Sequence, residues 1–238
     1  MNFHKIPDGA IITTTTTSTT VVSAYWSFDN NTNDLYGVYG GSIVNGASYL
    51  SPTTSPYVYS GSDQAIRLQS TSNQSVSVST FFNLTYTSFT VEAWIYPQLV
   101  TTDNTIFGQC ACTACTNQCL YLIIRSSHLY MGFNFNDLAG TATLTASTWY
   151  HVEFVYNYQT LQQIIYLDGV QDSIRSNVQP YQGQNGSITI GISTFLPANY
   201  YNGYIDNMAL TTRYDLLGSD IEVLLSRILG INREAAIN

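Results

Sequence analysis

Five segments in which apolar and polar residues alternate follow one another along the chain: FTVEAWIYP (89–97), CLYLIIR (119–125), WYHVEFVYN (149–157), QQIIYLDGV (162–170) and YNGYIDNMAL (201–210). Turns rich in Gly, Asn, Ser and Thr separate them. Successive side chains of a strand point to opposite faces, so this alternation marks strands with one face dry and one face wet. Repeated at short spacing, it predicts an antiparallel two-sheet sandwich. Further segments extend the pattern: AYWSFD (24–29), AIRLQS (65–70) and SVSVST (75–80) on either side of a turn at Ser72–Asn73, NTIFGQC (104–110), HLYMGFNF (128–135) and SITIGIS (187–193). About twelve strands are expected, a jelly-roll number. Asp168-Gly169 is a type I′ hairpin signal. Trp94 and Trp149, in the two most strongly patterned segments, are expected to be largely buried.

Three regions follow from this rhythm. Residues 1–23 form a Thr-rich linker, 24–213 the sandwich, and 214–238 a helical segment. In the last of these, Ser219 and Glu222 make a capping-box pattern. Ile221, Leu224, Leu225, Ile228 and Leu229 then recur at helical spacing. Such an apolar stripe packs on the sandwich end or offers a face for oligomerisation. Residues 30–63 have weak periodicity and read as a long looped connection.

Of the 238 residues, 45% are hydrophobic and only 9% are charged, so the surface is clothed in Ser, Thr, Asn, Gln and Tyr. That is the surface of an extracellular β protein. Seven Lys plus Arg against fifteen Asp plus Glu give a net charge of -8. No basic stripe is left to neutralise phosphates, which argues against nucleic acid and against anionic lipid. No apolar run reaches the roughly 18–20 residues a spanning helix needs, so membrane insertion is not expected.

All four cysteines lie within ten residues: Cys110, Cys112, Cys115 and Cys119. Nested bridges, Cys110–Cys119 and Cys112–Cys115, suit a hairpin, although three pairings are open. Structural zinc prefers two Cys pairs separated by a longer loop, so disulfides are favoured over a metal knot. Asn-x-Ser/Thr sequences at Asn30, Asn73, Asn83 and Asn185 are candidate N-glycosylation sites. MNFHKIPDGAII does not read as a secretory signal, and the chain reads as a fragment of a longer secreted or cell-surface protein.

The order TVEAW, W-Y-H-V-x-F-V-Y, I-Y-L-D-G, I-T-I-G and N-G-Y-I-D resembles the laminin G-like members of the concanavalin A-like lectins and glucanases, from about residue 24 to 213. The resemblance implies a jelly-roll sandwich with glycan or extracellular protein partners. It also implies one bound Ca²⁺, for which Asp29, Asp34 and Asp206 are the candidate ligands. Glycoside hydrolases of this fold carry a compact E-x-D-x-x-E run. Here Glu92 has no acidic residue within eight positions on either side, and Glu153 stands alone beside His151. A retaining glycosidase needs two carboxyls about 5–5.5 Å apart, so an enzyme is not expected.

Glycan sites combine aromatic planes with amide side chains. The runs richest in both are 181–185 (YQGQN) and 197–204 (PANYYNGY). Tyr181, Asn199, Tyr200, Tyr201 and Asn202 are therefore the candidate ligand-binding residues. The expected function is a non-catalytic extracellular recognition module. The alternatives are a structural spacer and, behind it, a hydrolase of the same fold.

Overall fold

A computed structural model describes residues 23–50 and 64–212. The expected Thr-rich linker and C-terminal helix fall outside these residues. The first eight strands are β1 (Ser23–Trp26), β2 (Ser42–Val44), β3 (Ser48–Leu50), β4 (Ala65–Leu68), β5 (Ser75–Val78), β6 (Phe89–Pro97), β7 (Asn104–Cys110) and β8 (Cys119–Arg125). After them come β9 (His128–Gly132), β10 (Asp137–Ala139), β11 (Tyr150–Asn157), β12 (Gln162–Leu167), β13 (Val170–Arg175), β14 (Ile188–Ile190) and β15 (Gly203–Thr211). The only helical element among the described residues is a 3-10 turn at Ser70–Ser72. None of it is long and apolar enough to cross a membrane.

Two antiparallel sheets face each other. The first runs β13-β12-β11-β6-β15-β4-β3, with β1 also paired to β15. The second runs β10-β9-β8-β7-β14-β5-β2. Alternation places Phe89, Val91, Ala93 and Ile95 of β6 inward, where they meet Val152 and Phe154 of β11 and Leu120, Leu122 and Ile124 of β8 in one continuous core. Asp168 and Gly169 both have positive φ, 49° and 76°, and join β12 to β13 as a two-residue hairpin. Positive φ at both positions is what a type I′ turn requires.

The structure adds to the expected pattern or departs from it in three places. First, AIRLQS and SVSVST, which flank the turn at Ser72–Asn73, lie in different sheets. The 3-10 turn between them carries the chain from the first sheet, where β4 lies, to the second, where β5 lies. Second, the stretch expected to be loop contains β2 and β3, three-residue strands that each form the edge of one sheet, away from the edges where β13 and β10 meet. Strands that short give too few alternations to register as a period.

Third, Trp94 and Trp149 are not core residues. Both are half-buried, Trp94 against His151 at 5.3 Å and Trp149 against Tyr96 at 5.4 Å, on the outer face of the first sheet. The tryptophan of the core is Trp26, fully buried. Its Nε1 donates to the Tyr39 carbonyl at 2.8 Å, which anchors the loop leaving β1. A buried indole N–H left without an acceptor is costly, and this bond ties the core to that loop.

Candidate functional site

The cysteine hairpin ends the sandwich. β7 and β8 pair until Cys110 faces Cys119, and these two are disulfide-bonded; Cys112 and Cys115 form a second bridge inside the loop. Two other segments pack against this hairpin. In the stretch 81–86, Phe82 and Leu84 are buried, so Phe81, Asn83 and Thr85 turn outward and Tyr86 is half-exposed at 50%. In the stretch 181–186, the Tyr181 ring enters the core beside Phe133, and its hydroxyl donates to the Gln109 carbonyl at 3.0 Å.

Hydrogen bonds join the three segments. The Tyr86 amide donates to the Tyr181 carbonyl at 3.0 Å, and the Gln182 amide to the Asn117 carbonyl at 2.7 Å. The Thr85 hydroxyl donates to the Gly183 carbonyl at 2.6 Å. Gly186, at φ 110°, passes so close to the Cys110 carbonyl that a Cβ there would collide with backbone. A scaffold bonded in this way can hold side chains in fixed positions, which is what recognition on loops requires.

Between the segments lies a cleft in two parts. One, of about 300 Å³, is lined by Tyr86, Ala111, Gln118, Gln182, Gln184 and Asn185. The other, of about 330 Å³, is lined by Phe81, Asn83, Thr85 and Gln184. Gln184 is common to both. The lining carries no carboxylate, ammonium or guanidinium, and its polar groups are amides, a hydroxyl and a phenol. Each amide side chain offers two donors and a carbonyl acceptor, and Tyr86 offers a flat apolar ring with a polar tip. Such a surface suits an uncharged, hydroxyl-rich ligand and contains no acid–base pair.

The sequence-derived binding residues do not converge on one site. Tyr181 is buried and forms the floor beneath the cleft rather than a stacking plane. Asn199 and Asn202 lie at the other end of β7. There the Asn199 side chain donates to Asp103 at 3.2 Å, and the Asn104 side chain accepts from the Asn202 amide at 2.8 Å. Six residues of strand separate the two ends, roughly 20 Å at about 3.3 Å per residue. Tyr201 is fully buried, its hydroxyl turned to the Tyr204 carbonyl, and cannot stack on a ligand. Tyr200 is half-buried. In YYNGY the strand period turns Tyr201 inward, so the run is a strand entry rather than a platform.

Burial sets the acid–base behaviour of these tyrosines. It pushes the Tyr181 phenol up to about 12 from the ordinary 10.0, and raises that of Tyr201 well above the same value. Stability that depends on the Tyr181 phenol staying neutral is complete below pH 10 and is lost as pH rises from about 10 through 12, because only the unfolded chain releases the proton in that window. An alkaline titration following phenolate absorbance together with circular dichroism should show a tyrosine fraction that ionises only as the sheets unfold. Uniform titration near 10 with the fold intact would contradict this assignment.

The calcium that the resemblance implies does not fit the three aspartates. Asp34 accepts backbone amides from Tyr25 at 2.8 Å and from Val38 and Tyr39 at 3.1 Å, so three of its roughly four acceptor positions are taken. Asp29 accepts the Gln64 amide at 3.3 Å. Asp206 is buried in mid-strand opposite Trp94. Among the described residues, no three His, Cys, Asp or Glu side chains gather in a way that could hold a metal ion. Asp34 instead fixes the loop that follows β1.

The carboxylates that look isolated in the sequence are neighbours in space. Register places Glu92 of β6 directly opposite Glu153 of β11. His151 Nε2 lies 3.4 Å from Glu92, not beside Glu153 alone. Both glutamates are at most 2% exposed, so a substrate cannot reach the pair. All four sequon asparagines, Asn30, Asn73, Asn83 and Asn185, are exposed.

Two facing antiparallel sheets closed by a disulfide hairpin, with an uncharged cleft at that end, define a lectin-like sandwich. The chain belongs to the Concanavalin A-like lectin/glucanases superfamily, whose laminin G-type profile matches residues 69–216. Among curated protein sequences none matches. Among solved structures, domain 4 of AbnA, an extracellular arabinanase from Geobacillus stearothermophilus, in complex with arabinotriose, is similar with a TM-score of 0.64 and 18% identity. The match covers 84% of this chain and 96% of that one. The binding domain of Paraclostridial Mosquitocidal Protein 1 is similar with a TM-score of 0.64 and 16% identity, over 87% of this chain and 52% of that one. A botulinum neurotoxin DC binding domain, solved in complex with rat synaptotagmin II, is similar with a TM-score of 0.57 and 17% identity, over 87% and 51%. The chain thus spans about half the length of the toxin domains. At these identities the likeness is one of fold.

Proposed function

We propose that this domain is a non-catalytic extracellular recognition module that takes a neutral oligosaccharide into the cleft beside the cysteine hairpin. The observation that carries this reading is the lining itself: an exposed tyrosine, a half-buried phenylalanine and five amide side chains, with no ionisable acid or base pair. A sugar presents apolar C–H faces to rings and vicinal hydroxyls to amides, and this lining offers both. The fold supports the reading, since the similar structures include a domain bound to arabinotriose and binding domains of toxins. Two disulfides and four exposed sequons support placement outside the cell.

The test is a glycan array screened with and without calcium. Binding to a subset of neutral oligosaccharides, unchanged by chelation, is expected. Tyr86→Ala should weaken it by about 1 kcal/mol, the scale of a single aromatic contact, while Tyr200→Ala leaves it unchanged. A folded protein that binds nothing on the array would overturn the reading. Binding lost on chelation would move the ligand to another surface.

A further inference from the structure

We propose that N-linked glycosylation at Asn83 and Asn185 closes the cleft, so that the form lacking these glycans is the one competent to bind. The geometry stands by itself; its consequence for binding rests on the recognition reading above.

The structure sorts the four sequons into two groups. Asn83 and Asn185 line the two parts of the cleft and stand on either side of their shared wall, Gln184. Asn30 and Asn73 line neither part; Asn73 follows the 3-10 turn at the start of β5, away from the cysteine hairpin. Asn83 projects outward because its neighbours Phe82 and Leu84 are both buried. Its Oδ1 accepts the Thr85 amide at 3.0 Å, which leaves Nδ2, the atom that carries an N-linked sugar, as the free end of the amide. The hydroxyl of the same sequon, on Thr85, bonds to Gly183 in the loop that carries the second sequon. Asn185 is exposed beside Gly186, whose backbone is pinned against Cys110.

In the modification, Nδ2 attacks the anomeric carbon of a lipid-linked diphosphate oligosaccharide. The N–C bond forms, the bond from that carbon to the phosphate oxygen breaks, lipid diphosphate leaves, and Nδ2 gives up one proton. The attached sugar carries the same hydroxyl and amide chemistry that the cleft suits. A short tether holds it at an effective concentration of roughly millimolar, so a free ligand at micromolar concentration competes poorly.

The experiment compares the full chain secreted from a eukaryotic host with the same chain made in a bacterial periplasm, where disulfides form without this modification. Peptide mass mapping reads occupancy, nitration reads access to Tyr86, and the glycan array reads binding. The secreted protein should carry glycans at both asparagines, nitrate at Tyr86 several-fold more slowly, and bind the array more weakly than periplasmic protein. Ser187→Ala destroys the Asn185 sequon without altering a lining residue and should recover part of both signals in the secreted form. Empty sequons, or equal Tyr86 rates in the two forms, would overturn the proposal. Protection of Tyr86 in the secreted form, combined with no array binding by either form, would leave the cover standing and overturn the recognition reading instead.

Discussion

Replacing Trp26 by alanine should lower the melting temperature of the domain by on the order of 10 °C. Trp26 is fully buried in the core, and truncating such a side chain costs about 3–5 kcal/mol through lost burial and the cavity left behind. For a domain of this size each kcal/mol moves the midpoint by about 2–4 °C. A second loss comes with it. The Tyr39 carbonyl loses its indole donor, and Tyr39 is itself packed on Phe82 at 4.9 Å. Trp149→Ala should cost clearly less, because that ring is half-buried on an outer face. Thermal unfolding of both variants checks the assignment, and equal losses would show that the inward face of β1 has been misidentified.

Gly186→Ala should lift one wall of the cleft. At φ 110° an alanine is held in a region open essentially to glycine, at about 1–3 kcal/mol for the backbone alone. The added Cβ also collides with the Cys110 carbonyl, which is fixed by the pairing of β7 with β8 and cannot yield cheaply. The loop relieves the collision by moving off the hairpin and stretching the Gln182 to Asn117 bond. A lower midpoint is expected, with faster hydrogen exchange at the Gln182 amide and loss of array binding. Unchanged exchange at that amide would mean the loop is not pinned as described.

These two residues show what the sequence discloses and what it withholds. Period-two alternation located the long strands because a sandwich buries one face of each. It could not say which face of β6 is dry, since Trp94 and Tyr96 are as apolar as the Phe89, Val91 and Ile95 that are actually buried. Trp94 is half-buried on the outer face, while Trp26, in a four-residue strand, is fully buried in the core. Pairing across strands was equally invisible: Glu92 and Glu153 are sixty-one positions apart in the chain and directly opposed in the sheet.

The cleft was half legible. The run 181–185 is rich in amides beside its tyrosine, and its Gln182, Gln184 and Asn185 line the cleft. Its other walls, Phe81 to Tyr86 and Ala111 to Gln118, come from stretches whose roles arise only when three distant loops meet. The alternation of buried Phe82 and Leu84 with outward Phe81, Asn83 and Thr85 was a usable signal, hidden inside a segment too irregular to read as a strand.

The place of β15 in the first sheet has a consequence for how the domain is made. It is the last strand of the described chain, yet it lies between β6 and β4 and also pairs with β1. As the polypeptide leaves the ribosome, β6 therefore waits with one edge unsatisfied while more than a hundred further residues are added. Until residues 203–211 arrive, β1 and β4 have no partner in the centre of that sheet. Closing such distant pairings is slow, and an open edge in the meantime invites association with other chains. The nascent domain is thus a late folder, exposed to misassembly until residues 203–211 have been made.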